Sequence, residues 1–207
     1  MKVIIIGAYG RIGSKVTEAL SIRDHEIVSV GSRSGDIVVD YTKEHSVKDM
    51  FEQTGRFDAL ISVAGGDSRF RRYSDLTDDD FRFGFERKFL SQVRLVMIGE
   101  KYANDNASFT LTSGFLSHYP NEASIATGPI NSAVDTFVCN TARLLPRGIR
   151  INVVSPAPIV EPGQERQGLV TAVQTAEMYV DAVEGGFTGK VLRAWGGLPL
   201  ISEKGVF

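Results

Sequence analysis

Val3-Ile4-Ile5-Ile6-Gly7-Ala8-Tyr9-Gly10-Arg11-Ile12-Gly13 opens with β-branched side chains and runs out into glycines. An apolar run this short and unbroken suits a strand buried on both faces of a parallel sheet. Ser14–Ile22 then reads as a helix, so strand, glycine turn and helix follow one another directly. Such a unit suits a dinucleotide. Gly7 allows the tight turn, Gly10 lets backbone approach a pyrophosphate, and Gly13 lets the helix pack on the strand. Tyr9, Arg11 and Ile12 complete the turn, and the free N–H groups at the helix start would meet the phosphates. The spacing is G-x-x-G-x-x-G, whereas the commoner fingerprint is G-x-G-x-x-G. An ordinary strand–turn–helix would look the same in isolation, but the flanking Val/Ile run and helix favour a nucleotide.

Working outward, Glu26–Val30 is a second strand and ends at Gly31-Ser32-Arg33-Ser34. An acid there would hold the ribose 2′-hydroxyl of NAD, whereas an arginine can hold the 2′-phosphate of NADP. The acid is absent. Unless Arg33 is simply a solvated loop residue, it points with Ser32 and Ser34 to NADP. Ile37–Asp40 is a third strand, only six residues beyond Val30, which demands a compact connection without a helix. Glu44–Gln53 is a short helix and Asp58–Val63 a fourth strand, ending in Ala64-Gly65-Gly66, where backbone could again approach a ligand. Residues 67–76 read as a polar surface loop rather than an anion site. Thr77 and Asp80 make a capping box that opens a long helix to about Tyr102. Along it Phe81, Phe85, Phe89 and Val93 recur every four residues, as a core stripe would. Ser108–Thr112 is a fifth strand and is followed by Ser113-Gly114. A helix then runs from about Pro129 to Leu145. Ile149–Val154 is a sixth strand, Glu165–Val183 a helix and Lys190–Ala194 the last strand. Strands alternating with helices imply one α/β domain over residues 1–207, a Rossmann-type doubly wound parallel sheet with helices on both faces.

The totals narrow the function classes. The 207 residues carry 23 Lys+Arg against 25 Asp+Glu, a net charge of −2, so no bulk field points to nucleic acid or an acidic membrane. Cys139 is the only cysteine, which excludes an intrachain disulfide and a multi-cysteine metal site. No apolar run approaches a membrane span, and the first residues flow straight into the glycine turn. A cytoplasmic protein with no metal is the expectation.

Four further features make the chain resemble a short-chain dehydrogenase/reductase over nearly its whole length. Asp40, beside Tyr41, follows the third strand where the family places an aspartate near the adenine. Leu60-Ile61-Ser62-Val63-Ala64-Gly65 resembles the family's Asn-Ala-Gly segment. Asn131-Ser132-Ala133-Val134-Asp135-Thr136-Phe137 and Gly148-Ile149-Arg150-Ile151-Asn152-Val153-Val154-Ser155-Pro156 resemble its helix-plus-strand signature. Phe187-Thr188-Gly189-Lys190 resembles the run into its last strand. The resemblance implies a small carbonyl or alcohol substrate near Ser113, beside a nicotinamide bounded by Gly65, Pro156 and Ile159. It also implies a homodimer or homotetramer paired through the Asp78–Tyr102 and Pro129–Leu145 helices.

The family's Tyr-x-x-x-Lys motif is missing. Thr127 falls at the tyrosine position and Asn131 at the lysine position, while Lys88 falls where the family has an asparagine. Lysine and asparagine have changed places, and the phenol is lost; a small divergent group of short bacterial reductase-like proteins is similar in this respect. A threonine hydroxyl is too weakly acidic to protonate an alkoxide at neutral pH. Lys88 either restores a charge at the site or is a solvated helix lysine. His118 and Tyr119 lie within reach of the pocket, but loop residues of these types are more often structural. Two readings stay open: an NADP(H)-dependent oxidoreductase with altered proton delivery, and an NADP-binding sensor without turnover.

Overall fold

The computed structural model describes residues 1–64 and 69–200. Its elements in chain order are β1 (Lys2–Ile6), α1 (Gly13–Ser21), β2 (Glu26–Gly31), β3 (Ile37–Val38), α2 (Glu44–Thr54) and β4 (Phe57–Ser62). Next come α3 (Asp78–Gly84), a π-helical segment (Phe85–Leu90), α4 (Ser91–Gly99), β5 (Ala103–Thr112) and α5 (Thr127–Thr141). The chain finishes with β6 (Arg150–Pro156), β7 (Ile159–Val160), β8 (Val170–Thr171), α6 (Ala172–Glu184) and β9 (Val191–Ala194). Seven strands form one parallel sheet in the order β3-β2-β1-β4-β5-β6-β9. The order reverses between β1 and β4, and a crevice at such a switch point, beyond the C-terminal strand ends, is where this architecture binds ligands.

Alternation along β1 explains its unbroken apolar run. Val3 and Ile5 pack on one face with α1 and α6; Ile4 and Ile6 pack on the other with α2, α4 and α5. All four are at most 1% exposed, and each fully buried side chain of this kind contributes roughly 2 kcal/mol. The expected doubly wound sheet is thus realised with a core on each face.

Several boundaries differ from the sequence expectations. The link from β2 to β3 is helix-free, and only the last two residues of β2 pair with β3, so the chain retraces little. Asp36 hooks it back: its Oδ2 accepts from Ser29 N at 2.8 Å and Ser29 Oγ at 2.7 Å. Asp40 lies beyond β3. The long helix is broken by the π-helical segment and stops at Gly99, where a side chain would run into the Phe51 ring. Its buried line is Asp80, Gly84, Lys88 and Gln92, one position away from the aromatic stripe. Phe81, Phe85, Phe89 and Val93 are half-buried on the flank, where Phe89 meets the Phe85 and Phe137 rings edge-on. Helix α5 ends at Thr141, short of Leu145, and the chain then turns through Pro146 and Arg147, the latter at φ +56°. The helix expected from Glu165 starts only at Ala172, after Gly168 at φ +82° and a Thr171–Gln174 capping box. The residues before it form the small β7–β8 ribbon.

Candidate functional site

The expected site residues gather at the C-terminal edge of the sheet. Gly7 follows β1 at φ +86°, a conformation that favours glycine. A Cβ on Gly13 would lie 2.0 Å from the Gly7 carbonyl oxygen, so α1 approaches the turn as only glycine allows. Gly10 N donates to the Gly7 carbonyl at 3.0 Å. The N–H groups of Tyr9, Arg11, Ile12 and Gly13 have no backbone acceptor among the described residues. Tyr9, Gly10 and Arg11 are exposed and Ile12 half-buried. A cradle of open N–H donors at a helix start fits a pyrophosphate.

After β2, Ser32, Arg33 and Ser34 are exposed, and Arg33 makes no ion pair among the described residues. A guanidinium so placed fits a 2′-phosphate. Asp40 Oδ1 accepts from Thr42 Oγ1 and N at 2.6 and 3.1 Å, and the Thr42 hydroxyl above all holds its carboxyl below the usual range. Tyr41 packs half-buried against the core beside it. Ala64 follows β4; Gly65 and Gly66 lie outside the described residues.

Beyond β5 and β6 a cleft of ≈ 440 Å³ opens. Its walls are apolar, from Phe70, Phe115, Leu116, Pro156 and Ile159; its floor is polar, from Lys88, Ser113, Thr127 and Asn131. All four floor residues are buried. Among the described residues, Ser113 Oγ, Thr127 Oγ1 and Asn131 Oδ1 close no well-formed hydrogen bond. Buried polar atoms are rarely left so, and three around one cleft mark a place for polar groups of a ligand.

Lys88 is the charge at the centre. Its Nζ donates to the Ser113 carbonyl at 2.9 Å. Burial lowers its pKa to about 8, with the Asp135 charge opposing the drop. It is therefore no solvated lysine. Gln92 fixes the helix beneath it: Nε2 donates to the Lys88 and Thr112 carbonyls, and Oε1 accepts from Thr112 N at 2.8 Å. The π-helical segment around Lys88 is a geometry frequent at functional sites.

The loop from 69 to 76 is more than surface. Asp80 Oδ1 accepts from Arg69 Nη1 at 3.3 Å and Arg71 Nε at 3.1 Å, and Oδ2 accepts from Thr77 N and Oγ1. Burial works against this carboxylate's charge, but Thr77 and the arginines hold its pKa below the usual range. Arg71 also bridges to the segment before α5, its N donating to the Ala123 carbonyl at 3.0 Å. These ties carry Phe70 to the cleft mouth. Across the cleft, Arg11 donates to the Ile159 carbonyl at 2.8 Å and pairs with Glu161 at 2.6 Å. Phe70, Asn121 and Asp135 are absent from the sequence-derived site; for Asp135 the signal was its helical spacing from Thr127 and Asn131. His118 stacks obliquely on Trp195 outside the cleft, 5.1 Å between ring centres, and Tyr119 OH donates to the Pro199 carbonyl.

The protein lin1944 of Listeria innocua is similar at 35% identity with a TM-score of 0.88, over 94% of this chain and 100% of that one. Residues 12–180 match the family model described as Enoyl-(Acyl carrier protein) reductase. The chain belongs to the short-chain dehydrogenase/reductase family. A small-chain dehydrogenase solved in complex with NADPH is similar to this family member at 25% identity, TM-score 0.85, over 95% of this chain and 97% of that one. General stress protein 39 of Bacillus subtilis (strain 168) is 25% identical over 130 residues, 62% of this chain. That match spans about half, 46%, of the curated relative's own length. Thr127 is buried at the first turn of α5, and Asn131 is buried one turn on. Among the described residues no helix is long and apolar enough to cross a membrane, and no cluster of His, Cys, Asp and Glu is arranged to hold a metal.

Proposed function

We propose that the protein is an NADP(H)-dependent oxidoreductase acting on a small, largely apolar carbonyl or alcohol, with Lys88 replacing the missing phenol. The observation that carries this reading is the buried Lys88 ammonium, bonded to the Ser113 carbonyl on the floor of an apolar cleft. NADP, when bound, supplies or takes up a hydride. The open N–H groups of the glycine turn would hold its pyrophosphate, Arg33 with Ser32 and Ser34 its 2′-phosphate, and Asp40 with Tyr41 would border its adenine. A relative's NADPH complex supports that choice of cofactor.

The chain's own residues do the rest. The Ser113 hydroxyl, which closes no well-formed hydrogen bond among the described residues, is available to orient a carbonyl oxygen. Lys88 places a positive charge where negative charge develops, an effect of about 3 kcal/mol for one preorganised donor. Its pKa of about 8 lets it give up a proton near neutral pH, as a general acid should. Thr127 offers a hydrogen bond but no usable acidity. Asn131 Oδ1 can accept one from a ligand hydroxyl. Phe70, Phe115 and Ile159 exclude water from the apolar part of the substrate. We further propose that copies pair through the helical faces of α3–α4 and α5.

The test is a screen of NADPH oxidation against aldehydes, ketones and quinones, followed by Lys88→Met, Ser113→Ala and Thr127→Val on the compound that turns over. We expect kcat to fall about a hundredfold for the first two and little for the third. Wild-type kcat in both Lys88→Met and Ser113→Ala would place the chemistry elsewhere. Tight NADPH binding with no turnover on any compound would favour the sensor.

A further inference from the structure

Asp135 is unused by the reading above, yet its surroundings are those of a working group. It lies on α5 one turn beyond Asn131 and two beyond Thr127, so the three share a helix face. Its Oδ1 is buried without a hydrogen-bond partner. For Oδ2 the contact is Ser117 Oγ at 3.4 Å, a hydroxyl that also stands 3.0 Å from the Gly114 carbonyl and has one proton for two acceptors. A carboxyl so poorly satisfied is normally explained by a second task.

Ser113 stands between Asp135 and Lys88. Its carbonyl accepts from Lys88 Nζ, and its hydroxyl bears on the Asp135 carboxyl without closing a well-formed hydrogen bond. Lys88 forms no direct ion pair among the described residues, and the negative charge that reaches it there is that of Asp135. Burial raises the Asp135 pKa; Ser113, His118, Ser117 and Arg193 pull it back. The titratable and charged groups facing Asp135 are therefore Lys88 from the π-helical segment, His118 from the loop and Arg193 from β9. The last two sit on the far side, against Trp195.

We propose that Asp135 is a positioning residue for Lys88, the counter-charge that keeps the buried lysine in its ammonium form on the floor of the cleft. The inference rests on the role given to Lys88 above. A buried ammonium with no opposite charge nearby gives up its proton, and a neutral amine can neither stabilise nor protonate an alkoxide.

The experiment is an NMR titration of the lysine side chains in the ligand-free protein, with Lys88 assigned by its loss in Lys88→Met. We expect a midpoint near 8 in the wild type, lower by roughly one unit in Asp135→Asn, the effect of losing one nearby charge. Asp135→Glu should restore it. The alkaline limb of kcat should move with the midpoint while KM for NADPH stays put. An unmoved Lys88 midpoint in folded Asp135→Asn, with Lys88→Met inactive, overturns this inference alone. An active Lys88→Met overturns the role given to Lys88 instead, and no turnover in the wild type overturns the reductase reading. Should Asp135→Asn not fold, the wild type decides: the Lys88 resonance must move as the Asp135 carboxyl protonates, and a flat response overturns the inference.

Discussion

Asp80 and Lys88 occupy one buried line two helical turns apart, yet they solve burial differently. Asp80 is saturated by Thr77, Arg69 and Arg71, whereas Lys88 has a carbonyl and a charge at one remove. The lysine is therefore a net cost to the fold. A drop in pKa from 10.5 to about 8 corresponds to about 3 kcal/mol against the charged form at neutral pH. Between about pH 8 and 10.5 the unfolded chain binds the proton that the folded chain has lost, so stability rises with pH across that window. Lys88→Met should lose this rise. It should also be more stable at pH 7 by about 2 kcal/mol, after deducting about 1 for the unpaired Ser113 carbonyl. Urea unfolding at pH 7 and pH 10 checks both. Arg33 is the contrasting case, an exposed charge whose removal should leave stability unchanged. Arg33→Ala should weaken NADPH binding by about 2–3 kcal/mol, some 30- to 150-fold, with NADH affected little. Calorimetry with both cofactors measures it, and equal wild-type affinity for the two would sink the NADP assignment.

Among the elements, the β1–turn–α1 unit carries the least tolerance. Gly13→Ala puts its methyl on the Gly7 carbonyl, backbone against backbone, and should cost about 3 kcal/mol by thermal or urea unfolding. Gly84→Ala meets only the movable tip of Ile130 and should cost much less. This unit was also the part most legible beforehand, because local rules govern it: apolar run, glycines, helix. The same rules read α2 and the Thr77–Asp80 cap. What escaped was non-local. Nothing within residues 78–102 says that α5 crowds Gly84 or that Gln92 reaches Thr112, and those contacts move the buried line off the phenylalanines. The β7–β8 ribbon was missed because two-residue strands leave no periodicity. At the site, the family pattern named Lys88, Ser113, Thr127 and Asn131, and the structure gathers these four around one cleft. Phe70 was not, since only the Asp80 clamp and the Arg71 bridge carry its loop to the cleft.

For the whole molecule, the doubly wound sheet leaves apolar side chains of the π-helical segment and α4 open to solvent, with Leu90 41% and Met97 67% exposed. A face of that kind should be covered by a second copy about a two-fold axis, with α5 alongside it in the proposed pairing. Sedimentation at micromolar concentration should show a dimer or tetramer; a lone 22.6 kDa species would remove the support. Double substitution of Leu90 and Met97 by glutamate should shift the equilibrium to the monomer. One contact links the two ligand regions. Ile159 lines the cleft with its side chain while its carbonyl holds Arg11 of the glycine turn, and Glu161 takes the other end of that guanidinium. On the proposed reading, a phosphate at the turn would compete with Glu161 for Arg11 and so tug on the wall against which the second reactant would settle. The order of arrival should then follow from that clasp: nucleotide first, carbonyl second, alcohol out before the spent nucleotide. Product-inhibition kinetics should accordingly be competitive only between the two nucleotide forms, and Arg11→Ala should make the sequence random.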